Sequence, residues 1–373
     1  MADIQYRVFF DNDPATREQL DSIEEITVEQ EVDMAWEARI TIPMCVDEDG
    51  NWQGEDEDFM RSFARVRVEI KIGDTLFVPL IDGPIVGFDS QASSEPGQSS
   101  ITLLVHDDSV YLNREETVSR FENLLDHEIA NQIFQQFEEI TSTDVEVTPA
   151  SGSALPPVEV QRGTAIQLLR SLAKRQGMHA YVLAGDSPGK SMGVFKSFPI
   201  ETDGLPALML LGSDRNIETF DVTNNAQSPS NVQASTLSVT DKVVTTRTSS
   251  FRDIELLGEE GEFETESEAA TQLLPPNQGQ SVDLDQAVAA EAEKSSYAYE
   301  ATGSVLGFCY PGVLQPYRLV TVKLGNAPSS GDYLISKVTH TLTRSAYSQS
   351  FTMRRNARST SLDGIADLAG SIF

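Results

Sequence analysis

The feature that most constrains the fold is an alternation of apolar and polar residues along short segments at both ends of this 373-residue chain. A period of two is typical of strands in a sheet with one buried face. In the N-terminal part the candidate strands are 4–10, 26–32, 38–42, 66–72, 75–81 and 99–105. In the C-terminal part they are 217–222, 235–244, 304–308, 319–324, 333–340 and 348–353. With turn residues such as Asp82-Gly-Pro between them, they predict antiparallel, barrel-like β-domains at 1–107 and 216–355.

The middle of the chain, 108–215, has a helical period instead. Residues 121–137 carry an apolar side chain at every fourth position, which predicts one long amphipathic helix. A second helix should begin after Thr164, a suitable N-cap, and end at Gly177. Its apolar face repeats at the helical spacing and consists of Ala165, Leu168, Leu169 and Leu172. A hairpin of 178–183 and 193–198 would complete an α+β insertion.

Three further segments belong to the C-terminal part. The acidic stretch 253–282 is interpreted as a loop or linker. Asp283 and Gln286 resemble a capping box that starts a helix over 284–296. Residues 356–373 form a tail with an apolar tip. The predicted fold class is therefore a β-dominated α+β protein, with two antiparallel β-barrel-like domains and an α+β insertion between them.

The net charge argues against two classes of partner, nucleic acid and anionic membranes. The chain has 58 acidic and 27 basic residues, which gives a formal net charge of −31. Such a surface repels nucleic acid and disfavours an anionic membrane. We found neither a signal-peptide pattern at the N-terminus nor an apolar run of about 18 residues, so assembly in the cytoplasm without membrane anchoring is expected. Only eight of the basic residues are Lys, a composition that suits high salt but also suits an acidic surface made for one partner.

The sequence contains one catalytic-looking motif. Gly185-Asp-Ser-Pro-Gly matches the G-x-S-x-G pattern of hydrolases, with Ser187 as the nucleophile. A strand pattern follows where the hydrolase motif needs a helix, and Pro188 has no N–H to donate to an oxyanion. We therefore favour a hairpin turn, and a β-rich hydrolase using Ser187 is the alternative function.

Metal and redox chemistry are not predicted. Residues 47–58 partly match a calcium loop, but Trp52 and Asp58 stand where Gly and Glu belong, so a solvated acidic loop is favoured. The four His, at 106, 127, 179 and 340, are scattered, and His340 is interpreted as a structural histidine. Asp107-Asp108 beside the first of them could orient its ring or belong to a buried polar network. Cys45 and Cys309 could form one long-range disulfide, but two buried thiols are favoured.

Two parts of the chain carry a more specific sequence resemblance than these periodic patterns. Residues 162–182, from Arg162-Gly-Thr to His-Ala-Tyr-Val, resemble the helix-then-strand signature of the phage late control D family. The residues that fill its positions are Thr164, Leu168, Leu169, Leu172, Ala173, Gly177 and Tyr181. The closing segments, 307–312, 331–340 and 347–352, resemble the family's last barrel, as 28–34 resembles its first. The residues that carry this second resemblance are Gly307, Gly331, Tyr333, His340 and Tyr347. The segment 314–320 departs from the family's Gly-containing turn.

The resemblance covers 1 to about 355 and implies a function. Members of the family are baseplate hubs of contractile tails and injection systems, similar to the N-terminal half of VgrG and to the phage T4 hub. It implies a homotrimeric ring that joins a hexameric inner tube to a trimeric spike and contacts other baseplate proteins. It implies no active site, cofactor or metal. Because the second barrel lies near the end of the chain, the spike is expected to be a separate protein.

Two alternative functions remain open from the sequence. They are a hydrolase and an acidic binding module of a halophile. Within the hub hypothesis, the sequence does not distinguish a phage, an extracellular injection system and a type VI-like system. The charge of such an assembly has two explanations, a host that works in high salt or a channel lined by acidic residues, and the low Lys count favours the first. If the host works in high salt, the assembly should lose stability as salt is removed, because screening would no longer offset its charge.

Overall fold

The computed structural model describes residues 3–46, 52–53, 58–95, 97–149, 158–237, 242–263, 268–275, 283–325 and 328–359. The calcium-loop candidate, apart from Trp52, Gln53 and Asp58, and the apolar tip of the tail lie outside these residues. The structure is β-dominated, as predicted, with antiparallel barrel-like sheets and an α+β unit between them.

The N-terminal region is built from strands, with two short helices. In chain order its elements are β1 (Ile4–Phe10), β2 (Asp13–Pro14), α1 (Arg17–Ser22), β3 (Glu25–Glu31), β4 (Glu37–Pro43), β5 (Cys45–Val46), β6 (Trp52–Gln53), β7 (Arg65–Ile72), β8 (Val78–Gln91), β9 (Ser100–His106) and α2 (Ser109–Leu112). The predicted turn at Asp82-Gly-Pro is wrong, since β8 runs through it and pairs with β7 and then with β9. A Cβ on Gly83 would lie 1.9 Å from the His106 carbonyl oxygen, so glycine there permits close strand packing.

The middle region contains both helices and strands. In chain order its elements are β10 (Glu116–Glu122), α3 (Asp126–Phe134), β11 (Ile140–Val145), β12 (Val158–Thr164), α4 (Ala165–Gln176), β13 (His179–Ala184) and β14 (Ser191–Lys196). The single long helix over 121–137 is wrong. Phe121 belongs to β10, and Asn123 has a φ of 57°, which a right-handed helix cannot accommodate. The hairpin of β13 and β14 is confirmed.

The C-terminal region returns to strands around one helix. In chain order its elements are β15 (Leu208–Met209), β16 (Ile217–Asn224), β17 (Ser230–Leu237), β18 (Val244–Ser249), β19 (Ala270–Leu273), α5 (Leu284–Ser296), β20 (Tyr299–Val305), β21 (Leu319–Lys323), β22 (Gly331–Thr343) and β23 (Tyr347–Arg355). The single strand over 235–244 is wrong, because β17 and β18 are separate antiparallel strands. The predicted linker 253–282 contains β19, which pairs in parallel with β17.

Helix α5 has the predicted bounds but only part of the predicted cap. Asp283 accepts a hydrogen bond from the backbone N–H of Asp285. Gln286 does not close a capping box, because its side chain donates to the carbonyl of Gln176 at the end of α4. The predicted burial of the thiols is also wrong, since Cys45 and Cys309 are both exposed and form no disulfide.

One sheet connects the two ends of the chain. Within the described residues its strands run in the order β16-β20-β23-β22-β3-β4-β9-β8-β7-β1-β2. The central pairing is antiparallel between β22 and β3, with His340 opposite Val28 and Leu342 opposite Ile26. Leu342 accordingly packs in the core of the N-terminal strands. The predicted boundaries of the domains stay a prediction, but the two β-regions share a continuous backbone ladder.

Candidate functional site

The family-like segment forms the junction between a strand and a helix. Thr164 has extended backbone at the start of α4, and its N–H donates to Gln167 Oε1 at 3.2 Å. Its hydroxyl donates to Asn113 Oδ1 at 3.0 Å. Gly177 ends the helix with a φ of 70°, and a Cβ there would lie 3.3 Å from the Ala290 Cβ on α5. The predicted start and stop of the helix are therefore confirmed, and the stop also permits close packing of α5.

The apolar residues of α4 are part of the hydrophobic core of the insertion. Leu169, Leu172 and Ala173 are at most 1% exposed, and Leu168 is 8% exposed. They pack with residues of α3, β13 and β14 in one cluster. These side chains fix the position of the helix and are not accessible to a partner.

Tyr181 connects the insertion to both β-regions. Its ring stacks on that of Tyr317 with centroids 3.6 Å apart and planes 2° from parallel. The Tyr317 hydroxyl accepts a hydrogen bond of 2.7 Å from the N–H of Asp33, just after β3. Burial raises the pKa of both tyrosines. Tyr317 lies in the segment 314–320, so the part of the chain that departs from the family pattern supplies this contact.

The G-x-S-x-G motif is a hairpin turn, as predicted, and it is bound by the N-terminal sheet. The carbonyls of Gly185 and Ser187 accept hydrogen bonds from Arg67 Nη1 at 2.8 and 3.2 Å. The N–H of Gly189 donates to Asp82 Oδ2 at 3.1 Å. The chain then enters strand β14. The motif thus has a structural role in attaching the insertion.

The side chains that hold this turn form a buried ion network. Arg67 pairs with Glu69 at 2.7 Å and with Asp82 at 3.0 Å. Arg65 pairs with Asp82 at 2.7 Å and with Asp108 at 2.5 Å. Burial raises the pKa of Asp82 against the lowering effect of the two arginines. Four oppositely charged contacts offset part of the cost of removing these groups from water.

Strand β14 joins the same network. Ser191 donates from its hydroxyl to Asp108 Oδ2 at 2.7 Å. Asp107 accepts hydrogen bonds from the backbone N–H groups of Trp36 and Ser109, and burial raises its pKa to about 6. The buried polar network that was one interpretation of Asp107-Asp108 is confirmed. The role of Arg67 could not be predicted from the sequence, because the alternation in β7 assigns its side chain to the solvent-exposed face.

His340 is a structural histidine, as predicted. It is fully buried, with Nδ1 2.8 Å from the Tyr347 hydroxyl and Nε2 3.3 Å from Gln30 Oε1. The Gln30 amide is oriented by its donation to the Leu80 carbonyl. His340 is therefore the neutral tautomer that donates from Nε2 and accepts from Tyr347. Burial lowers its pKa to about 3.

Two of the remaining family-like residues, Gly331 and Tyr333, lie beside Arg355. Gly331 has a φ of 137°, and a Cβ there would lie 2.3 Å from the Arg355 guanidinium. Arg355 donates to the carbonyl of Ser330 at 2.7 Å and lies over the Tyr333 ring. Gly307 begins a turn of 3-10 helix with a φ of 29°. The structure places Gly331 at the start of β22, Tyr333 within that strand and Gly307 in a turn, and their family assignment stays a prediction.

The described residues provide little for metal or membrane chemistry. No group of three or more His, Cys, Asp or Glu within the described ranges could hold a metal ion. His106 lies 3.4 Å from Glu37, His127 contacts Thr148, and His179 pairs with a carboxylate after β3. Over the same residues, no helix has the length and hydrophobicity to span a bilayer.

Comparisons with known proteins identify the fold. By sequence, no protein family and no curated protein matches the chain. Among solved structures, the tail protein from Neisseria meningitidis MC58 superposes with a TM-score of 0.63 at 15% identity, over 95% of this chain and 97% of that one. The 43 kDa tail protein of prophage MuSo2 from Shewanella oneidensis also gives 0.63, at 14% identity, over 94% and 98%. The chain shares the fold of these tail proteins.

A more distant match comes from a secretion system. The Escherichia coli c3393 protein is described as a type VI secretion component with structural similarity to the T4 tail proteins gp27 and gp5. It gives a TM-score of 0.51 at 10% identity, and covers 95% of this chain and 76% of its own. The fold therefore occurs in phage tails and in type VI systems, and no family membership is shown by sequence.

Proposed function

We propose that this protein is a structural baseplate hub of a contractile injection system or a phage-like tail. Three copies would form a ring that joins a hexameric inner tube to a separate trimeric spike, in contact with other baseplate proteins. The observation that carries the proposal is the match to two tail proteins over at least 94% of both chains. The match extends through the insertion as well as the β-regions.

The sheet topology supports a ring built from two similar halves per subunit. One continuous sheet contains both β-regions, joined at β22 and β3. In the described residues, β16 pairs on one side only, with β20. At the other end, β1 pairs with β7, and only its last two residues also pair with β2. Open edges are surfaces on which another chain can add a strand, and three such subunits would present six half-units.

The buried contacts support a rigid subunit. Arg67, Asp82 and Asp108 fasten the insertion to the N-terminal sheet, and Tyr181 with Tyr317 fastens it to the C-terminal region. A hub that transmits force between tube and spike needs its insertion and β-regions to keep fixed orientations relative to one another. The hydrolase alternative has no supporting observation, because the Ser187 turn is occupied by contacts to Arg67.

Co-purification with the other tail components tests the role. The chain is co-expressed with candidate spike and tube proteins from the same genome, and the tagged spike is recovered. We expect the hub to be recovered with the spike, and the tube protein to bind only when the hub is present. Recovery of a spike–tube complex that lacks this chain would contradict the proposal.

A further inference from the structure

The ion network that attaches the insertion to the N-terminal sheet contains more carboxylates than cations. Its members are at most 12% exposed, and they are four carboxylates and two guanidinium groups, those of Glu69, Asp82, Asp107, Asp108, Arg65 and Arg67. With all six groups ionised, the negative charge exceeds the positive charge by two. An excess of this kind is unfavourable in a place that water hardly enters, because the charged form of a buried group loses its solvation.

Asp107 is the carboxylate of this network that lacks a cation. Each of the other three pairs with an arginine. Among the described residues, the Asp107 oxygens accept only neutral donors, the backbone N–H of Trp36 at 2.6 Å and that of Ser109 at 2.9 Å. The neighbouring Asp108 adds a further negative charge, and its Oδ1 is buried with no hydrogen-bond partner in the described part of the chain. Protonation of Asp107 is therefore the most direct way to reduce the excess charge.

The other titratable groups around Asp107 supply no counter-charge. Both arginines of β7 are already paired with other carboxylates. His106 lies 3.4 Å from Glu37, and Tyr111 stays neutral because burial and the charge of Asp108 raise its pKa. Burial, together with the charge of Asp108, outweighs the two N–H donors and raises the pKa of Asp107 to about 6.

The hydrogen bonds of Asp107 connect it to the attachment of the insertion. Its carboxylate and the Trp36 backbone are bonded in both directions, since the Asp107 N–H also donates to the Trp36 carbonyl. The Trp36 ring packs in one cluster with Tyr181 and Val194 of the insertion. The ionisation of Asp107 therefore acts on the same junction as the contacts of Arg67 to the turn at 185–189.

We propose that this junction is a pH-sensitive attachment, in which Asp107 takes up a proton as the pH falls below neutral and the insertion is then held more tightly to the N-terminal sheet. Protonation removes one of the two excess negative charges and leaves a carbonyl oxygen that still accepts an N–H bond. Trp36, Arg67 and Glu69 line a groove at the surface, so solvent that supplies the proton reaches the margin of the network.

The sign of the effect follows from the two states of the junction. When the junction opens, Asp107 becomes solvated and its pKa returns to the ordinary value of 3.8. For a carboxyl whose pKa is higher in the closed state than in the open one, attachment is strongest below the lower value and weakens as the pH rises through the higher one. The junction should thus open more readily at pH 7.5 than at pH 5.

Hydrogen–deuterium exchange of the segment 185–191 tests this attachment. Its N–H groups include that of Gly189, which donates to Asp82 across the junction. Between pH 7.5 and pH 5, the protection of this segment in the parent should rise about tenfold relative to that in Asp107→Asn, after correction for the intrinsic exchange rate. His340 titrates in both proteins, so its contribution cancels in the comparison.

The matched control is Asp144→Asn, which removes a half-exposed carboxylate of the insertion and should follow the parent. Asp107→Ser gives the same comparison where Asp107→Asn does not fold, because its hydroxyl still accepts one backbone N–H, and circular dichroism verifies the fold of each variant. The proposal is overturned if the parent and the Asp107 variants depend on pH in the same way, or if Asp144→Asn loses the pH dependence as well.

Discussion

Removal of the Arg67 guanidinium tests the buried ion network directly. The side chain is 2% exposed, and in Arg67→Met the apolar stem is kept while Glu69 and Asp82 lose a cation. Truncating one side of a buried ion pair costs about 3–5 kcal/mol, and an orphaned carbonyl such as that of Gly185 adds about 1 kcal/mol. Because Asp82 keeps its pair with Arg65, we expect the low end of the ion-pair range and a total loss of about 4 kcal/mol.

Urea unfolding followed by circular dichroism measures this loss. Limited proteolysis reports whether the turn at 185–189 detaches first, as the contacts to Arg67 predict. Arg39→Met is the control, since its pair with Glu37 at 2.7 Å is half exposed and should contribute less than about 1 kcal/mol. Equal losses in the two variants, or an intact turn in Arg67→Met, would refute the role of the network.

Three further predictions concern single residues. Gly331→Ala should lower the free energy of unfolding in urea by about 2 kcal/mol or more. The reason is that the φ of Gly331 is 137° and that an added Cβ would lie 2.3 Å from the Arg355 guanidinium. A loss below about 0.5 kcal/mol would contradict this. Tyr181→Ala should cost about 3–5 kcal/mol and Tyr181→Phe under about 1 kcal/mol in the same assay, since only the first removes the stack on Tyr317; equal costs would exclude stacking as the cause. The stabilising effect of neutral His340 is present above its unfolded pKa near 6.5 and is lost as pH falls towards its folded pKa of about 3, by up to about 1.4 kcal/mol per pH unit. Unfolding measured between pH 7 and 4 should therefore depend less on pH in His340→Gln than in the parent, and identical profiles would contradict this.

Local signals predicted α4 well, because its start and stop depend on neighbouring residues. Thr164 and Gly177 have the backbone conformations that their residue types favour at helix ends. The prediction of one long helix over 121–137 was wrong, because it too depended only on local spacing. Apolar side chains of a strand and of a helix happened to continue one period across a turn at Asn123, which a count of spacings does not detect.

The contacts that connect the insertion and the two β-regions could not be predicted from the sequence, because they join residues far apart along the chain. Arg67 and Gly185 are separated by 118 positions, and Asp33 and Tyr317 by 284. Periodicity assigns a side chain to a face of its own strand and does not say what covers that face. The G-x-S-x-G turn was correctly predicted as a turn, but its attachment to the N-terminal sheet required the tertiary structure.

The salt dependence of the assembly is a separate expectation from composition. A trimer would carry three times the −31 charge of one chain, and mutual repulsion should weaken it when screening is removed. Sedimentation across a salt series should show the ring at high ionic strength and its dissociation in dilute buffer. A ring that stays intact in dilute buffer would contradict the idea of a high-salt host without affecting the hub role.

The mass of the purified protein in solution tests the central claim most directly. Sedimentation equilibrium at high ionic strength should give a mass three times the 40.9 kDa of one chain. A monomer at every salt and protein concentration, including in the presence of the spike and tube proteins, would contradict the account of this chain as a trimeric hub.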